Sequence, residues 1–143
     1  MAELTTKEVR QRIATALEAR TGWRESPYVF DLFGREQRNR IHLSFAVGVP
    51  ETSPFIGQGR QRRNLLQLVD SSISVVYTYQ LHADNQVSTY DDMIDETHSA
   101  IKTVLGISYN DLHITWDSTN RKVENGFYFV TINFIARHQI TLS

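Results

Sequence analysis

The chain has 143 residues, about the length of one ordinary domain and too short for two, with enough material to bury a core. Hydrophobic residues make up 41% and charged residues 22%, which excludes disordered and collagen-like classes. With no cysteine, disulfides, thiolate zinc sites and a cysteine nucleophile are excluded as well, in keeping with a reducing compartment. The start, Met-Ala-Glu-Leu-Thr-Thr-Lys, has no apolar signal core, and no stretch approaches the roughly 18 consecutive apolar residues of a membrane helix. The expected setting is therefore the inside of a cell. Net charge is −1, yet residues 1–63 carry eleven Lys and Arg against seven Asp and Glu (+4), and residues 64–143 carry four against nine (−5). That division fits either a polyanion site or head-to-tail contact between oppositely charged subunit faces.

The first predicted element is a helix: Thr5-Thr6-Lys7-Glu8 has capping-box spacing, Val9, Ile13, Ala16 and Leu17 share one face, and Thr21-Gly22 stops it. Pro27 precedes Tyr28-Val29-Phe30-Asp31-Leu32-Phe33, bounded by Gly34, which reads as a first strand. Ile41, Leu43, Phe45, Val47 and Val49 alternate with His42, Ser44, Ala46 and Gly48, giving a half-buried strand that Pro50 is expected to end. Residues 50–64, with two of the three prolines and two of the seven glycines, read as a long exposed loop.

From about Leu65 to Leu81 a long strand is predicted, pairing with 41–49, because Ile73, Val75, Tyr77, Tyr79 and Leu81 alternate with Ser72, Ser74, Val76, Thr78 and Gln80. A second helix opens at Ser88-Thr89-Tyr90-Asp91, presents Tyr90, Met93/Ile94, Thr97, Ile101 and Val104/Leu105 to the core, and closes at Gly106. Leu112, Ile114 and Trp116 mark a fourth strand. A polar connection with turn signals at Asp117-Ser118 and Asn125-Gly126 then leads to a last strand, Phe127 to Ile140. The order is α-β-β-β-α-β-β: one α+β domain over 1–143, its two helices covering one face of a mostly antiparallel sheet. The last strand is apolar on both faces over 127–130, so it is either central or meets another subunit.

Motifs for chemistry are weak. Asp91, Asp95 and His98 share one side of the second helix, opposite its apolar side, and read as a solvated face more than as metal ligands. Gly57-Gln58-Gly59-Arg60-Gln61-Arg62 begins like a dinucleotide fingerprint but has Arg62 where the third glycine belongs. The histidines, His42, His82, His98, His113 and His138, read as structural or surface residues, four of them on the polar side or at the ends of strands. No catalytic residue, cofactor site or metal site is expected. The most distinctive polar feature is Arg60, Arg62 and Arg63, with Phe55 and Ile56 beside them and Arg35, Arg38 and Arg40 earlier; such a cluster reads as a solvated loop, or is neutralised by a partner's carboxylates or by phosphates.

The element order, carried by Val9 to Leu17, Ile41 to Val49, the loop Pro50 to Asn64, Ile73 to Leu81, Tyr90 to Leu105 and Phe127 to Ile140, resembles the tail-terminator and tail-completion proteins of long-tailed bacteriophages. The likeness lies in architecture rather than in a diagnostic motif. It implies a non-enzymatic virion protein assembled in the host cytoplasm: a homohexameric ring that caps the tail tube, stops its polymerisation and joins the tail to the head connector. Its partners would be copies of itself, the tube protein and the connector protein, with nucleic acid only as genome passing through the ring. On that reading Phe55, Ile56, Arg60, Arg62 and Arg63 are assigned to a partner surface. Two alternatives stay open: a phage neck or head-completion protein, and a small nucleic-acid-binding module that uses the Arg60–Arg63 loop. An enzyme with a site scattered over the strands is a third possibility.

Overall fold

The computed structural model describes residues 3–27, 42–55, 66–124 and 126–141. Helix α1 (Thr6–Glu18) opens as its sequence predicts, but Ala14 takes the buried place expected for Ala16, which is only half-buried. The Thr5 hydroxyl accepts from the Glu8 N–H at 3.1 Å and the Glu8 carboxylate accepts from the Thr5 N–H at 3.2 Å, which closes the capping box. Val9, Ile13, Ala14 and Leu17 form its buried face. The chain then turns through Gly22 at φ +82° into β1 (Arg24–Glu25) and continues in β2 (Ser44–Pro54), β3 (Leu66–Gln80), a 3-10 turn (Ala83–Asn85), α2 (Gln86–Leu105), β4 (His113–Glu124) and β5 (Phe127–Thr141).

The architecture is α+β in the order α-β-β-β-α-β-β, with one five-stranded sheet arranged β1-β2-β3-β5-β4. Among the described strands only the β1–β2 pair is parallel. Both helices cover one face. There Phe45, Val47, Ile73, Val75, Tyr77, Val130, Ile132 and Phe134 meet Val9, Ile13 and Leu17 of α1 and Met93, Ala100 and Val104 of α2 in one buried cluster. β5 is an interior strand, paired along its length with β3 and over most of it with β4, which accounts for its apolar character. Tyr128, Val130, Ile132, Phe134 and Ala136 are its buried, helix-facing residues.

Several element limits differ from the sequence expectation. The run Tyr28–Phe33 lies outside the described residues, among which the strand that precedes β2 is the two-residue β1. Pro50 does not end β2. The register with β3 shifts between Gly48 and Glu51, so Pro50 sits in an irregularity where its missing N–H breaks no ladder bond, and pairing resumes from Glu51↔Ser72 to Pro54↔Val69. Residues 50–54 are therefore strand rather than loop. β4 runs straight through Asp117-Ser118; a register shift between Trp116 and Ser118 absorbs the turn signal, and pairing continues to Glu124↔Phe127. α2 starts at Gln86 instead of at Ser88, with Asn85 at its N-cap and no side-chain cap. Its buried face is Thr89, Met93, Thr97, Ala100, Ile101 and Val104, and Tyr90 stays 43% exposed.

Among the described residues, two glycines carry left-handed backbone that their surroundings treat differently. A Cβ at Gly22 would lie 3.3 Å from Leu43 Cδ1, and Leu43 is itself held at φ 59°, whereas a Cβ at Gly126 (φ +81°) would meet nothing within 4 Å. Gly126→Ala should therefore cost only the backbone penalty, about 1–2 kcal/mol. Gly22→Ala should cost more, and urea unfolding of the two variants orders them; equal losses would show that the Gly22–Leu43 approach is unimportant.

Candidate interaction surface

Of the residues assigned from sequence to a partner surface, Ile56, Arg60, Arg62 and Arg63 lie outside the described residues, as do Arg35, Arg38, Arg40 and the Gly57–Arg62 run. Phe55 is described. It follows Pro54 at the end of β2, and its N–H donates to the Leu68 carbonyl at 2.9 Å, so the β2–β3 ladder carries one residue past the strand. Its half-buried ring lies beneath the Arg137 guanidinium, 3.7 Å from carbon to ring centroid. Arg137 in turn forks onto Asp70 at 2.9 and 3.3 Å, across the register pair Asp70↔Arg137. Three elements thus hold a cation between an aromatic face and a carboxylate, on the side of the sheet away from the helices.

The same side carries a polar ladder in its middle: the Ser74 hydroxyl donates to Asn133 Oδ1 at 2.8 Å, and Asn133 Nδ2 donates to the Ser118 hydroxyl at 3.0 Å. Nearby, Ala46 and Val76 are buried and Phe129 packs against them. This second face is therefore mixed, with apolar, polar and charged side chains in successive registers.

Asp91, Asp95 and His98 are all exposed on α2, as their phase implies, and among the described residues no group of three or more His, Asp or Glu is placed to hold a metal ion. No helix is long and apolar enough to cross a membrane among the described residues. His138, near the end of β5, is a structural histidine: it projects to the helix side of the strand and is fully buried. Its Nδ1 lies 2.7 Å from the Leu4 carbonyl, which can only accept, so Nδ1 bears the proton and Nε2 accepts from the Ser71 hydroxyl at 2.7 Å. Ser71 is paired with Thr52 across the strands, their hydroxyl oxygens 3.1 Å apart. This has the polarity of a serine activated by a histidine, but Ser71 and His138 are both 0% exposed, so no substrate reaches the hydroxyl. The network instead fixes Glu3 and Leu4 beside the end of β5, where the Leu4 N–H donates to the Gln139 carbonyl at 2.8 Å.

A second polar cluster ties the turn after α1 to α2. Arg20 donates to Glu96 at 2.7 Å and to the Ser99 and Thr103 hydroxyls at 3.0 and 2.8 Å, and the Trp23 indole donates to the same Glu96 oxygen at 2.6 Å. Tyr77 reaches α2 from the sheet through the Met93 carbonyl and Thr97, and burial pushes its phenol above the usual range.

Among the described residues, the large exposed hydrophobic side chains lie on α2, on the connection that follows it and on β4. They are Val87 and Tyr90 on α2, Tyr109 in the connection to β4, and Trp116 and Val123 on β4. β4 is the sheet's last strand, with β5 on one side only. Tyr90 stands edge-on to Tyr128, centroids 6.0 Å apart, and Tyr128 is the register partner of Val123, so α2, β5 and β4 are continuous here. This surface is the clearest interaction feature among the described residues. What these observations define is a class, an α+β domain with an apolar flank at an edge strand. No known protein-family model matches the chain, and no curated protein does.

Proposed function

We propose that the chain is a structural subunit of a phage or phage-like particle: a tail terminator or completion protein that forms a ring on the end of the tail tube, stops its growth and joins it to the head connector. The observation that carries the reading is the pairing of the α-β-β-β-α-β-β order with an apolar flank at an edge strand. An edge strand beside large exposed hydrophobics is a liability in a solitary monomer and an asset in an assembly. Arg60, Arg62, Arg63, Phe55 and Ile56 are proposed to face the tube or connector.

Deleting the protein from its particle should leave tails of uncontrolled length that do not join heads, and normal joined particles would contradict the reading. Substituting Arg60, Arg62 and Arg63 together by Ser should reduce joining at least tenfold while thermal unfolding stays unchanged. If the arginines served nucleic acid, the same variant would lose a DNA affinity that falls steeply with salt, with joining intact.

A further inference from the structure

We infer that Glu3 and Leu4 form a strap across the end of the sheet that acid opens, with His138 as its latch. The device stands apart from the ring reading. β4 pairs with β5 only as far as His113↔Arg137, and beyond that point the Leu4 N–H donates to the Gln139 carbonyl at 2.8 Å, with Glu3 bridged in parallel to Gln139. The strap thus continues the sheet where β4 stops. Among the described residues it is closed by that backbone bond, by the Leu4 side chain at 1% exposure in the core, and by the His138 Nδ1–H on the Leu4 carbonyl at 2.7 Å. Thr5 behind it belongs to the capping box of α1, which is complete without the strap.

Protonation leaves the hydrogen bonds of the latch intact and its charge unmatched. In the neutral ring Nδ1 donates to Leu4 and Nε2 accepts from Ser71; a proton on Nε2 makes the Ser71 hydroxyl accept instead and turn its own hydrogen toward Thr52. The positive charge then needs a carboxylate. From β3, Asp70 is the carboxylate that acts on the ring, and Arg137 of β5 already forks onto it; β2 offers the Thr52 hydroxyl and the strap a carbonyl. Glu3 and Lys7 are exposed, and Glu8 is committed to Thr5. An imidazolium fully buried in such a site is stabilised by admitting water. β3 and β5 cannot part easily, being paired from Leu66↔Thr141 to Gln80↔Phe127, so the strap is the smallest piece whose departure hydrates the ring. Burial already holds the imidazole below the usual histidine range, as a closed site that resists the proton requires.

The test is amide hydrogen exchange by NMR on the full chain at pH 7.5 and 5.5, corrected for the intrinsic effect of pH on exchange. In wild type the protection of the Leu4 amide should fall about fivefold on acidification, with a ceiling near tenfold set by a histidine that titrates at about 6.5 once the strap is open. The amides of Val75 and Ile132, in the paired centre of the sheet, should stay as protected as before. His138→Asn keeps a neutral side-chain donor near the Leu4 carbonyl, and in it the Leu4 amide should lose the pH dependence. Should that variant not fold, a 15N titration of the wild-type imidazole decides, since it must follow the loss of protection at Leu4. Protection at Leu4 that ignores pH, that falls only together with Val75 and Ile132, or that falls equally in His138→Asn would overturn the inference, as would an imidazole that titrates out of step with it.

Discussion

Replacing His138 with Phe should lower stability by about 2–3 kcal/mol and flatten its dependence on pH. The ring volume is kept, but the Leu4 carbonyl loses its donor in a fully buried site, and an orphaned buried polar group costs about 1–3 kcal/mol. Ser71 suffers less, since its hydroxyl still has Thr52 within reach, so Ser71→Ala should be the milder change. Burial pulls the His138 pKa below its usual 6.5, against opposing effects from the Leu4 carbonyl and Asp70. The unfolded chain then binds the proton more readily than the folded one. Stability is fully present above pH 6.5 and falls as pH drops from there toward the lowered folded value. His42 has the same sign: burial lowers its pKa, and its Nδ1 accepts from the Gln80 N–H at 3.0 Å, which protonation would prevent. Urea titrations at pH 7.5 and 5.5 should show wild type losing stability on acidification, with part of that loss absent from His138→Phe. An unchanged slope in the variant would remove His138 from the account.

Arg20→Ala should cost about 2–3 kcal/mol, roughly 10 °C in Tm for a domain of this size. The Arg20 and Glu96 side chains are 14% and 28% exposed, so water partly screens the pair and the loss stays below that of a fully buried one. The change also removes donors from Ser99 and Thr103 and the guanidinium from beside Trp23, 5.0 Å from its ring centroid. Glu96 keeps the indole donor alone. Glu96→Gln retains an oxygen acceptor for both Arg20 and Trp23 and should cost about half as much. A loss under about 0.5 kcal/mol for Arg20→Ala would show that packing alone joins α1 to α2.

Much of the fold was legible because burial leaves a period in the sequence. α1, β3 and β5 each have one face against the core, and Val9/Ile13/Leu17, Ile73/Val75/Tyr77 and Val130/Ile132/Phe134 repeat accordingly. The second half of β4 has no such period: as an edge strand it is exposed from Asn120 to Val123, and its hydrogen bonds to β5, not its side chains, make it a strand. Proline misled at β2, where the irregularity after Gly48 accommodates Pro50. Ser88 misled at α2, whose first turn follows a 3-10 turn and whose Thr89 bonds back to the Asn85 carbonyl. The polar clusters were not legible at all. Ser71 and His138 are 67 residues apart, and Arg20 and Glu96 are 76, so only the folded register brings them together. The exposed apolar residues were half visible: the helix period puts Tyr90 on the core side of α2 and the alternation puts Trp116 in phase with Leu112 and Ile114, yet both are exposed.

Ring formation is tested most directly by the native mass of the full chain by light scattering over a concentration series, with negative-stain images of any large species. A closed six-membered ring is the predicted result. A monomer at every concentration would contradict it.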